Sequence, residues 1–318
     1  MVASRARALN AFKFGDATFY WMTRIAAICV LLILGGIIAY LIVGAWPALT
    51  TYGLNFLSTQ RWAPELDPPV LGGLAPIYGT LLTSAIALLI AVPVGLGVAV
   101  FLTELCPQWL RRPIGIAVEL LAGIPSIIYG MWGFFVLGPA LANTIEPAIV
   151  SFFARVPVLN VIFAGPTSNQ SIFNASLILA IMVLPFITAI ARDVFLTVPP
   201  VLKEAAYGVG CTTWEVVRSV MVPYTRVGLI GGIMLALGRA LGETMAVTFV
   251  IGNAFRVQAS IFAPGTTISA AIASEFAESA DLYQSALILL GLLLFVLTFF
   301  VLAAARLMLM QLRRRAGG

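Results

Sequence analysis

The apolar positions of this chain gather into long runs separated by short polar segments. A helix that crosses lipid needs about 20 mainly apolar residues, because hydrocarbon offers no partner to an unpaired backbone amide or carbonyl. Six runs meet that requirement: 22–45, 77–102, 114–137, 175–196, 227–251 and 283–306. As a helix, the uncharged stretch 282–305 would rise about 36 Å, enough to cross a core of about 30 Å with some tilt. The pattern predicts an all-α integral membrane protein with six transmembrane helices. Arg5, Arg7, Lys13 and Arg24 precede the first run as they would in a secretory leader. Residues 25–45 nevertheless exceed the about 7 to 15 residues of a leader's apolar core, and no clear cleavage site follows. The run is read as an uncleaved span.

Positive charge between the runs is lopsided. With both termini cytoplasmic, the inner segments hold fourteen of the 18 lysines and arginines, and the outer loops hold Arg61, Arg155 and Arg256. Short cytoplasmic segments retain positive charge during insertion, so this arrangement sets the expected orientation. It predicts an N-terminal cytoplasmic segment 1–21, a six-span domain 22–306 containing a cytoplasmic loop 197–226, and a basic tail 307–318. The outer loops also carry Glu65, Asp67, Glu146, Glu275, Glu278 and Asp281, an acidic surface that any anion would have to pass. Loops 46–76 and 252–281 are long enough to offer a docking surface. In loop 138–174, Phe152 and Phe153 beside Arg155 fit either a short interfacial helix or a packed outer loop.

Composition narrows the class. The chain is 61% hydrophobic and 10% charged, whereas soluble domains carry about 25% charged residues. Its net charge of +5 does not point to nucleic acid, since the basic residues lie between apolar runs rather than on one solvated face. Histidine is absent, and Cys29, Cys106 and Cys211 form no C-x-x-C pair. Metal and Cys/His chemistry start weak, and the three cysteines are read as buried packing residues. The only lysines, Lys13 and Lys203, do not follow the glycines of a G-x-x-x-x-G-K-[ST] loop. The chain is not expected to hydrolyse ATP itself or to hold a metal or cofactor.

The most polar cytoplasmic loop contains KEAAYGVGCTTWEVVRSVMVPYTR. Ala205 and Ala206 favour helix, Gly210 permits a tight bend, and Pro223 is expected to end the segment before the next span. A helix, a turn and a second helix result. Glu204-Ala205-Ala206, Gly210 six residues after the glutamate, and Val220-Met221-Val222-Pro223 resemble the EAA motif of bacterial ABC importer permeases. All spacings agree, with Val220 and Val222 in place of the usual Ile and Leu. An ordinary amphipathic loop would rarely match them all. The resemblance implies the type I ABC importer permease fold. It also implies a loop seated in a groove of a separate nucleotide-binding subunit, where ATP and magnesium would be bound.

The fifth run carries Gly238-Arg239-Ala240-Leu241-Gly242-Glu243. An arginine at mid-membrane costs about 2.5–3.5 kcal/mol on the insertion scale, so it pairs or lines a wet cavity. Arg239 and Glu243, four residues apart, would share one helix face and could pair. Gly238 and Gly242 would let a neighbouring backbone approach. Two readings stay open: the charges neutralise each other to fix packing, or the guanidinium offers paired donors to a tetrahedral oxyanion while Glu243 competes for it. Thr83, Ser126 and Tyr129, with Thr80 and Ser84, supply hydroxyls along an anion path or simply pack. Glu119 snorkels to the interface or makes a helix contact. Pro93, Pro125 and Pro185 are expected to kink or interrupt helices.

The strings GTLLTSAIALLIAVPVGLG, ELLAGIPSIIYG, LPFITAIARDVFLTVP and GRALGETMAV resemble the PstC family of phosphate permeases over about 79–250. This resemblance implies half of the pathway of an ATP-driven phosphate importer in the bacterial inner membrane, with Arg239 and Glu243 acting in translocation. It implies a heterodimer with a PstA-like permease, a PstB-like ATPase dimer, and a PstS-like periplasmic phosphate-binding protein. A sulfate or molybdate permease would suit the same arginine. A passive channel would not need the EAA spacing, and an intramembrane enzyme would need a nucleophile or metal site that is not evident.

Overall fold

The computed structural model describes the backbone of residues 2–165 and 167–316. Among these, six helices are long and apolar enough to cross a membrane: Thr18–Tyr52, Leu74–Leu105, Ser126–Phe153, Ile172–Leu196, Thr213–Leu241 and Asp281–Gln311. They are called spans one to six below.

The fourth span is the axis of the bundle, with 67% of its most apolar window buried. Small residues allow the close packing: Ala87 and Ala91 of span two meet Leu179, Ala180, Val183 and Ile187 of span four, together with Ala236 and Ala240 of span five. Span one is peripheral, none of its most apolar window being buried. It joins span six near its own C-terminal end, where Ala45 and Ala48 pack with Ala286, Leu287 and Leu290. Pro47 lies inside this helix and disturbs the ladder. There the Ser285 hydroxyl donates to the Gly44 carbonyl at 2.8 Å and accepts from the Ala48 amide at 3.0 Å. Cys29 sits on the peripheral span and is exposed, whereas Cys106 is buried and Cys211 half-buried. Uniform burial of the cysteines is therefore corrected for Cys29.

The third crossing is interrupted at Pro125, as expected of that proline, and its bounds depart from the predicted run. The helix Gln108–Ala122 stops, residues 123–125 intervene, and Ser126 starts a new helix. Pro125 lacks an amide and pushes Ile124 out of helical geometry, which is why the predicted run 114–137 is not one helix. The Tyr129 hydroxyl donates to the Leu121 carbonyl at 2.8 Å and so partners a group near the helix end. Two π turns, Gly133–Leu137 and Leu141–Ile145, then shift the register of the second half. They carry Glu146 onto the packed face, where it is 0% exposed and its Oε2 accepts from the Ser168 amide at 3.3 Å. Glu146 therefore does not belong to the outer acidic surface. Phe153 stacks on Phe163 at 4.7 Å, while Phe152 is exposed, so the Phe pair is packed on one side only.

The loop after span five, outer in the predicted orientation, folds back as a cap. Gly265 donates to the Ile251 carbonyl and Ala254 to the Gly265 carbonyl, while Ile172 and Phe173 at the head of span four donate to Ala263 and Ile261. Phe262, Ala263, Ile268 and Ala271 are fully buried. Gly79 makes this approach possible, because a Cβ there would stand 1.9 Å from the Thr266 carbonyl oxygen. Trp62 stacks on Phe255 with centroids 4.6 Å apart, joining the two long loops 46–76 and 252–281.

Candidate translocation and coupling site

The loop between spans four and five forms as a helix, a turn and a second helix. Helix Pro200–Gly208 buries none of its residues. Glu204 and Ala205 are exposed and Ala206 is half-buried. Val201, Val209 and Trp214 are exposed large apolar side chains on this element. Gly210 turns the chain with φ of +92°, a left-handed value that a side chain would strain. Thr212 then caps the next helix in a reciprocal capping box with Glu215.

From Thr213 the helix runs unbroken into span five, ending at Leu241. Pro223 does not terminate the coupling segment as expected. A π turn, Val217–Met221, precedes it and places the proline in the first turn of the resumed α-helix, where its missing amide is tolerated. Val216, Val217 and Met221 are buried against Ala99 of span two and Ala191 and Phe195 of span four. Lys203 adds an ion pair to Glu104, Nζ to Oε1 at 2.8 Å, tying the exposed helix to the end of span two.

Span five breaks after Leu241, and a short helix, Met245–Ile251, resumes beyond Thr244. Arg239 lies in the last turn before the break and is exposed. Its position at a helix C-terminus suits a cation. Glu243 lies within the break, half-buried, with Oε1 accepting from the Ala246 amide at 3.5 Å. Among the described residues no ion pair within 4 Å joins Arg239 to Glu243. The shared helix face expected from their spacing does not form, because the chain leaves the helix at Gly242.

The two helix breaks lie side by side. A Cβ on Gly130 would stand 3.1 Å from the Ala246 Cα and carbonyl oxygen, so the restarted halves of the third crossing and span five touch at their beginnings. Tyr129, Ala246 and Val247 pack there with Ile178 and Met182 of span four. Ser126 opens the restarted helix and is half-buried. Thr83 lies in the packed interior: it is 1% exposed and its hydroxyl donates to the Gly79 carbonyl of its own helix at 2.7 Å. Thr80 is likewise committed to packing, accepting from the Ile268 amide at 2.9 Å. Ser84 is buried and its hydroxyl has no partner. Glu119 makes a helix contact, meeting Arg192 of span four at 2.8 Å. The neighbouring break at 123–125 was flagged in sequence by Pro125, but its pairing with the break at 242–244 is a tertiary fact. Together the breaks bring the starts of two restarted helices into contact, with Arg239 in the last turn before one break and Glu243 within it.

Residues 91–314 match the family of binding-protein-dependent transport system inner membrane components. The chain belongs to this family of permeases. A phosphate transport system permease protein PstC of Mesorhizobium japonicum is 61% identical over 316 residues, covering 99% of this chain and 96% of that protein. A protein of the same name from Pasteurella multocida is 51% identical over 302 residues, covering 95% and 94%. PstC 1 of Mycobacterium tuberculosis is 38% identical over 330 residues, covering 98% and 97%. Among solved structures, a bacterial ABC transporter that imports the acidic polysaccharide alginate matches with a TM-score of 0.54 at 17% identity, covering 89% of this chain and 95% of that one. The inward-facing MetNI methionine ABC transporter gives 0.54 at 18% identity, covering 74% and 94%. At these identities the solved structures establish the fold alone, the type I importer permease fold.

Proposed function

We propose that the chain is one permease half of an ATP-driven importer of inorganic phosphate in a bacterial inner membrane, with both termini cytoplasmic. The observation that carries the reading is the full-length similarity, at 38% to 61% identity, to permeases named for phosphate transport. The exposed Arg239 beside the paired breaks supplies the chemistry: a planar fork of donors matches two oxygens of a tetrahedral anion. Glu243, close in sequence, competes for the guanidinium electrostatically, so the anion is held reversibly. Energy enters from a separate PstB-like ATPase dimer that binds ATP and magnesium and grips the exposed face around Glu204. Its closure turns the rigid helix from Thr213 to Leu241, on which Arg239 rides. A PstA-like permease completes the pathway and a PstS-like binding protein docks on the joined outer loops.

The test is ATPase activity of the reconstituted complex with binding protein loaded by phosphate, sulfate or molybdate. Stimulation by phosphate alone is expected. Equal stimulation by sulfate would replace phosphate as the assigned cargo, and a tagged chain that never brings down a P-loop ATPase would end the importer reading.

A further inference from the structure

At the predicted cytoplasmic end, helix Gln108–Ala122 and the close of span four line an open, shallow pocket of about 350 Å³. Arg111, Arg112, Arg192 and Glu119 line its charged side, and Ile116 and Leu196 its apolar side. The arginines are not equivalent. Arg192 is already neutralised, its Nη1 lying 2.8 Å from Glu119 and its Nη2 3.1 Å from Asp193. Gly115 makes room for that guanidinium, since a Cβ there would stand 3.2 Å from Nη1. Arg111 is oriented by the Thr103 carbonyl, 2.9 Å from its Nη2, which fixes the group without cancelling its charge. Among the described residues neither Arg111 nor Arg112 makes an ion pair within 4 Å.

Two arginines that line one pocket without carboxylate partners leave uncompensated positive charge there, which an anion would offset. The nearby acids are committed elsewhere: Glu119 to Arg192, and Glu104 to Lys203. Planar guanidinium forks favour oxyanions with paired oxygens, phosphate groups above all. The apolar wall one turn further along the helix would accompany such a group with hydrocarbon. We propose that this pocket binds a phosphate group at Arg111 and Arg112, carried either by an anionic phospholipid or by free inorganic phosphate on the cytoplasmic side. The site is separate from Arg239, so the cargo assignment neither supports nor weakens it.

The experiment follows phenylglyoxal modification of Arg111 and Arg112 by mass spectrometry, in the assembled complex in nanodiscs. One arm compares phosphatidylcholine discs with discs containing phosphatidylglycerol. The other adds millimolar inorganic phosphate to phosphatidylcholine discs, against chloride at equal ionic strength. Protection of about tenfold is expected when the ligand stands at about ten times its dissociation constant. Slowing in the first arm assigns the lipid, slowing in the second assigns free phosphate, and either supports the site. Unchanged rates in both arms overturn it. Arg112→Gln removes an exposed side chain with no ion-pair partner, and should cut protection of Arg111 by about fivefold, the usual effect of one basic residue near an anionic headgroup. Protection of Arg111 that persists undiminished in that variant also overturns the proposal.

Discussion

Arg239 is useful because of what it does not do: it stands at a helix end, exposed, with no ion pair to Glu243. A charge held only for packing would be expected to sit against its counter-charge. Arg239→Gln should therefore abolish most phosphate uptake while assembly with the ATPase survives. Loss of one charged hydrogen bond at about 1.5–3 kcal/mol lowers uptake by about tenfold to hundredfold, and Arg239→Lys, a point charge without the fork, falls between. Normal uptake by an assembled Arg239→Gln complex would return the residue to a packing role. A second residue acts through space rather than charge. Gly79→Ala would drive a Cβ to within 1.9 Å of the Thr266 carbonyl, so the outer cap must shift. The expected cost is about 1–3 kcal/mol, read as a lower thermal midpoint of the purified complex. Neither Gly79 nor the burial of Glu146 was legible in sequence. Sequence spacing supplies neither a tertiary backbone contact nor the register shift of two π turns.

Among elements, the coupling loop was the most legible, because its chemistry is local: helix formers, a left-handed glycine and a capping box act within a few residues. Pro223 was misread for the same reason. A proline suggests an end, whereas the π turn ahead of it lets the helix continue, leaving one continuous rod from Thr213 to Leu241. The bend at Gly210 is then where the exposed helix Pro200–Gly208 meets that rod. Gly210→Val introduces strain of about 1–3 kcal/mol at φ of +92° although no atom lies within 4 Å of the new Cβ. The expected result is ATP hydrolysis with uptake reduced several-fold, measured as phosphate transported per ATP. An unchanged ratio would show that this turn does not transmit motion. The span breaks were half legible: Pro125 is visible punctuation, but the break at 242–244 was hidden within G-x-x-x-G spacing that reads equally well as helix packing.

For the whole molecule, six apolar runs were enough to give the class and the number of crossings, since lipid forces each run to satisfy its own backbone. What they could not give was how the coupling helix is held to the bundle. It has two attachments, the covalent one through span five and the Lys203–Glu104 pair to span two. Span two packs along span four through Ala87 and Ala91, so the ion pair makes the bundle answer a push on the exposed helix from two sides. Both charges are largely shielded, Glu104 at 9% and Lys203 at 21% exposure, so removing one leaves the other poorly solvated. Glu104→Lys places two cations together and should cost about 1–3 kcal/mol, less than a fully buried pair because water still reaches Lys203. Uptake per ATP should fall in Glu104→Lys and in Lys203→Glu, and recover when the two are combined. A double variant no better than either single change would mean that these residues act through separate partners, leaving the continuous helix through Pro223 to carry the coupling from the loop to Arg239.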